Sequence, residues 1–142
     1  MPLAQKDLYK KLLGSSGEKS ACRYLKKQGY RIQKRNLRTP FGEVDIVAEQ
    51  GDTLVFIEVK TCTGEAFGTA AQHVTPQKVA RYRKTAQWFL LQEEEERAVR
   101  FDVVEVYPKG IPESVLTEEE RTAKAAQKKR TLPEIRLIEN AF

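Results

Sequence analysis

From residue 54 to 60 the chain runs Leu54-Val55-Phe56-Ile57 and then becomes charged at Glu58-Val59-Lys60. Strand side chains alternate with a period of two, so Leu54, Phe56, Glu58 and Lys60 share one face and Val55, Ile57 and Val59 the other. Both faces begin apolar, which predicts a central strand covered on each side and charged only at its carboxyl end. The preceding segment, 42–49, reads as a second strand, with Glu43, Asp45 and Val47 on one face and Val44, Ile46 and Ala48 on the other. Gln50-Gly51-Asp52 between the two is turn chemistry.

The remaining pattern fills in around this pair. Residues 16–27 read as a helix with Ala21, Tyr24 and Leu25 at helical spacing and Gln28-Gly29 as its stop, and 30–37 as a first strand. Residues 61–74 form a glycine-containing loop placed to gate or contact a substrate. Thr75-Pro76 opens a long helix to about Glu93, with Val79, Tyr82, Ala86, Phe89 and Leu90 as its buried stripe. Trp88 either extends that stripe or sits at an interface. Strands are predicted over 100–107 and 133–140, and between them a polar helix over 116–130 with Thr117 and Glu120 as a capping box. The order α-β-β-β-α-β, plus an additional helix and a short C-terminal strand, predicts an α/β fold with a central mixed sheet flanked by helices on both faces.

The predicted hairpin brings chemistry together. With a four-residue loop, 50–53, Asp45 falls opposite Glu58 and Glu43 opposite Lys60, their Cβ atoms roughly 5 Å apart. Two opposed carboxylates repel, so the pair needs a cation or a shared proton. A divalent metal is one such cation, and hard oxygen ligands suit Mg²⁺ or Mn²⁺, which keep waters for a substrate phosphate to displace. Taken alone, Glu58 and Lys60 are equally well an ion pair at a strand end, and Glu18 a helix-start carboxylate favoured by the helix dipole.

The ordered set is more specific than its parts. Glu18, Gly42-Glu43-Val44-Asp45 and Glu58-Val59-Lys60 resemble the PD-(D/E)XK nucleases, the restriction-endonuclease-like superfamily that includes archaeal Holliday junction resolvases. With Gly17-Glu18, Arg35-Asn36-Leu37-Arg38, Phe67-Gly68 and Asn140-Ala141-Phe142 added, the chain resembles the YraN-type family of predicted bacterial endonucleases over roughly residues 14–107 and the last few. The resemblance implies a three-layer restriction-endonuclease-like fold in one nuclease-like domain, 1–142, with 116–130 as a helical insertion departing from the family pattern. It implies Asp45 and Glu58 as metal ligands, with the Val59 carbonyl a third. Lys60 would orient or help deprotonate the attacking water. Glu18 would hold the metal through water or serve a second ion. Glu43 is an accessory, facing either the metal or Lys60.

Charge adds a partner. The net charge of +5 is unevenly spread, because residues 1–38 carry eleven Lys or Arg against Asp7 and Glu18, a local +9, and the remainder sums to −4. A segregated basic surface attracts a polyanion, and Arg31, Lys34, Arg35 and Arg38, leading into the hairpin, are the expected nucleic-acid contacts together with Lys78. Some of these cations serve equally to solvate helix faces. At 142 residues and 40% hydrophobic content the chain is sized for a single core. It has no apolar run of membrane-spanning length and no signal-peptide pattern, so a cytoplasmic location is expected. Cys22 and Cys62 lack metal spacing, and His73 stands alone. Gly14-Ser15-Ser16-Gly17-Glu18-Lys19-Ser20 has the composition of a phosphate-binding loop, but Glu18 interrupts it and the spacing is short.

The sequence therefore predicts a Mg²⁺- or Mn²⁺-dependent nuclease acting on DNA, with branched DNA as substrate by analogy to the resolvases and a homodimer under that analogy, because junction cleavage needs two opposed sites. The alternative is a non-catalytic nucleic-acid-binding or protein-docking module on the same fold.

Overall fold

The computed structural model describes residues 16–62, 74–127 and 131–142. Helix α1 (residues 16–27) is followed by strands β1 (Arg31–Thr39), β2 (Gly42–Gln50) and β3 (Thr53–Thr61), helix α2 (Pro76–Glu93), strand β4 (Ala98–Tyr107), helix α3 (Glu118–Ala125) and strand β5 (Glu134–Ile138). The five strands lie side by side in chain order. β3 and β4 are parallel and every other neighbouring pair is antiparallel, so the sheet is mixed. The parallel pair needs a crossover, and the segment carrying α2 supplies it.

The expected alternation of β3 places its side chains on two cores. Val55 and Ile57 pack with Ala21, Cys22 and Leu25 of α1, whereas Leu54 and Phe56 pack with Tyr82, Ala86 and Phe89 of α2. Phe56 meets Phe89 edge to face at a centroid distance of 5.8 Å, a favoured aromatic geometry. Two glycines permit the helices to approach. A Cβ on Gly17 would overlap the Thr61 hydroxyl, and one on Gly42, whose φ is +136°, would lie 2.9 Å from Cδ of Arg81 on α2.

Several boundaries differ from expectation. Gln50 and Thr53 pair, so the β2–β3 turn is only Gly51-Asp52, with Gly51 at φ 57° as at the first position of a type II′ turn. β1 runs two residues past Leu37 because Arg38 and Thr39 pair with Glu43 and Gly42. The capping box at Thr117 and Glu120 is present, but α3 ends at Ala125. Residues 63–73 of the expected loop, with Phe67-Gly68 and His73, lie outside the described residues, as do Lys128-Lys129-Arg130 and residues 1–15. Among the described residues no helix is long and apolar enough to cross a membrane.

The tail returns to the α2 face. Asn140 donates its backbone N–H to Asp102 Oδ1 at 2.9 Å, and Ala141 donates to the Phe101 carbonyl at 2.8 Å. These bonds seat the Phe142 ring 4.7 Å from that of Tyr82 and 5.8 Å from that of Phe101.

Candidate functional site

The site forms where β2 and β3 stop pairing. Their ladder runs from Gln50 opposite Thr53 to Ile46 opposite Ile57, and the same register continued by one residue sets Asp45 against Glu58. There the backbone bonding gives way to a side chain: Asp45 Oδ2 accepts the Val59 N–H at 2.8 Å. On the other side of β2, Asn36 lies between the pairs Arg35 to Ile46 and Leu37 to Val44, and so opposite Asp45. Asn36 has φ 54°, a left-handed conformation that asparagine tolerates better than most residues. The strict alternation expected for β2 breaks at this level. Val44 packs with the α2-side core, whereas Ile46 and Ala48 pack with the α1 side.

Asp45 feels the charges of other carboxylates around this opening. Glu18 enters from α1, and the Asn36 side-chain amide, when oriented with its nitrogen toward Glu18, donates to both carboxylate oxygens at 3.2 Å. Burial pushes the Asp45 carboxyl from 3.8 to about 6; the Val59 N–H opposes the shift, and the charges of Glu18, Glu58 and Glu43 add to it. Glu58 Oε1 lies 2.6 Å from Lys78 Nζ, an ion pair with side-chain exposures of 19% for the acid and 23% for the base. Its other oxygen is buried and accepts no hydrogen bond. Tyr82, one helical turn beyond Lys78, has its hydroxyl pKa raised by burial and then by the charges of Glu58 and Asp45.

The other expected residues are arranged differently. Lys60 is exposed at the end of β3, with Glu105 opposite it on β4. Glu43 pairs with Arg38 at 3.3 Å rather than with Lys60. Arg31, Lys34 and Arg35 are exposed along β1, a strand at the edge of the sheet. Lys78, by contrast, turns inward to Glu58. Val59 is half-buried against the α1-side core, and its N–H is the group that contacts Asp45. Among the described residues no three His, Cys, Asp or Glu side chains are grouped to hold a metal ion.

Asn36, Tyr82 and the pairing of Lys78 were not anticipated. One signal for Lys78 was present. It sits in the first turn of α2, where its N–H bonds the Thr75 hydroxyl at 3.2 Å and where the helix dipole favours acids over cations.

The sequence model of the family described as "Uncharacterised protein family UPF0102" matches residues 17–106. This chain belongs to UPF0102. Its relatives include UPF0102 proteins of Caldicellulosiruptor saccharolyticus, 44% identical over 69% of this chain and 84% of the relative, and of Alkaliphilus oremlandii, 46% identical over 68% and 85%. A third, from Thermodesulfovibrio yellowstonii, is 41% identical over 70% and 88%. Glu18, Asn36, Asp45, Glu58, Lys60, Lys78 and Tyr82 all fall inside the UPF0102 match, and α3 and β5 lie beyond it.

A stability prediction follows from Asp45. Because its folded pKa lies above the unfolded value, the native state holds the extra proton between about pH 4 and 6, and stability falls as pH rises through that window. Asp45→Asn keeps an acceptor for the Val59 N–H and removes the charge. At pH 7.5 it should stabilise the fold by about 2 kcal/mol, and at pH 4 by much less. Thermal melts at both pH values check this; an equal shift at the two would refute it.

Proposed function

We propose that this UPF0102 protein is a metal-dependent phosphodiesterase, an endonuclease cleaving DNA, of the PD-(D/E)XK kind that its motifs resemble. The observation that carries the reading is the opposition of Asp45 and Glu58 at the open end of the β2–β3 ladder, where Glu58 keeps a buried oxygen without a hydrogen bond. A protein under no functional demand gains nothing from two repelling carboxylates at the end of a buried strand.

The donor set fits Mg²⁺ or Mn²⁺. Asp45 and Glu58 offer hard oxygens, and magnesium commonly takes one or two carboxylates and leaves its other positions to water and phosphate. Once bound, the metal would polarise the scissile phosphate and acidify a coordinated water. The chain's own groups would do the rest. The Val59 N–H holds the Asp45 carboxylate in place, the Val59 carbonyl is a further donor, and Asn36 fixes Glu18 for a water-mediated or second-ion role. Lys60 would orient the attacking water, and Arg31, Lys34 and Arg35 would track the phosphate backbone. Branched DNA would need two such sites facing opposed strands and hence a symmetric dimer.

One observation favours a second reading. Lys78 already occupies Glu58, as it would in a module that binds nucleic acid or protein without cutting. Labelled duplex, single-stranded and four-way-junction DNA incubated with Mg²⁺, Mn²⁺ or chelator separates the two. The nuclease yields products only with metal; DNA that is bound in chelator, released by salt and left intact with every metal would establish the module instead.

A further inference from the structure

The ion pair between Lys78 and Glu58 has a consequence for the same site, and it rests on the nuclease reading. Glu58 and Asp45 follow the last pair of the β2–β3 ladder, and the ammonium of Lys78 meets Glu58 at 2.6 Å. That ammonium satisfies only part of Glu58, which has one oxygen on Lys78 and the other buried without a donor.

Helix α2 holds Lys78 there against its own electrostatics. The residue lies in the first turn of the helix, a turn with no acidic side chain, and its ammonium sits near the positive end of the dipole. Among the described residues its ion-pair partner is Glu58, and the flexible four-carbon stem of lysine leaves the ammonium free to move once that anchor is lost.

We infer that Lys78 is the displaceable internal cation of the carboxylate site: it neutralises Glu58 in the metal-free protein, is expelled when a divalent ion takes that carboxylate, and then contacts the substrate phosphate. Metal and ammonium compete for the same oxygen, so Lys78 weakens metal binding by the free energy of its own pair. Expulsion moves a positive charge outward, to the mouth where the phosphate arrives.

The test is Mn²⁺ titration by calorimetry of the wild type, Lys78→Met, Lys78→Arg and Lys60→Met, with melting curves to confirm that each is folded. Lys78→Met removes the competitor and should bind Mn²⁺ at least about 5-fold more tightly, yet cleave DNA about 100-fold more slowly for want of the phosphate contact. Lys78→Arg keeps the cation and should bind Mn²⁺ nearly as the wild type does. Lys60→Met should also leave Mn²⁺ affinity unchanged, because Lys60 does not pair with Glu58. Folded Lys78→Met that binds Mn²⁺ no better than a metal-binding wild type overturns the role of Lys78 and leaves the nuclease reading standing. A wild type that binds no Mn²⁺ overturns both.

Discussion

Glu58→Ala should slow metal-dependent DNA cleavage by about 10³-fold, the scale on which a single preorganised electrostatic contact acts. The side chain projects from the end of β3 toward both Asp45 and the first turn of α2, and its loss leaves the opening with one strand carboxylate. Folding should not suffer. Glu58 is one of the charges that push the Asp45 carboxyl upward, so removing it relieves repulsion. The expected result is a lost rate with an unfolding midpoint that holds or rises. Glu58→Gln, which preserves shape, should behave in the same way. Full activity in either variant would remove Glu58 from the site; a fallen midpoint would mean that its pair with Lys78 is chiefly structural.

Asp102→Ala should have the largest effect on stability. The carboxylate is fully buried and takes two hydrogen bonds from the Arg100 guanidinium, each 2.8 Å, one from the Asn140 N–H at 2.9 Å and a longer one from Tyr30 at 3.4 Å. Removing one side of such a pair strands the other, at a cost of about 3–5 kcal/mol. For a chain of this length that lowers the midpoint by about 10 °C or more. The damage should spread along the tail, because Asn140 is the bond that leads Phe142 to Tyr82, and amide exchange at Ala141 should accelerate with it. A loss below about 1 kcal/mol would show that Arg100 finds other partners.

The parts legible in the sequence were those governed by local rules. The register of β2 on β3 followed from alternation and a turn-forming Gly51, and it placed Asp45 opposite Glu58 even though the turn proved two residues shorter than supposed. Helix α2 and the capping box of α3 were likewise set by Thr75-Pro76 and by Thr117 with Glu120. What escaped were contacts between elements. No spacing along the chain reveals that the first turn of α2 lies over the end of β3, so Lys78 was assigned to phosphate binding and its pairing with Glu58 went unseen. The kink at Asn36 was hidden for another reason. It depends on a positive φ inside a strand, and Val44 lies on the face that alternation gives to Asp45.

The exposed basic residues of β1 also bear on how copies of the protein can meet. A strand at the edge of a sheet offers unpaired backbone groups to any second strand, and inward or edge-lying cations are a common protection against that. Joining β1 of one copy to β1 of another would crowd Arg31, Lys34 and Arg35 against cations of the second copy. The cations therefore disfavour a twofold assembly built on β1. The protection has a practical side as well: neutralising those residues to test the proposed DNA contacts would unmask a sticky edge, so affinity and self-association should be measured together in every β1 variant.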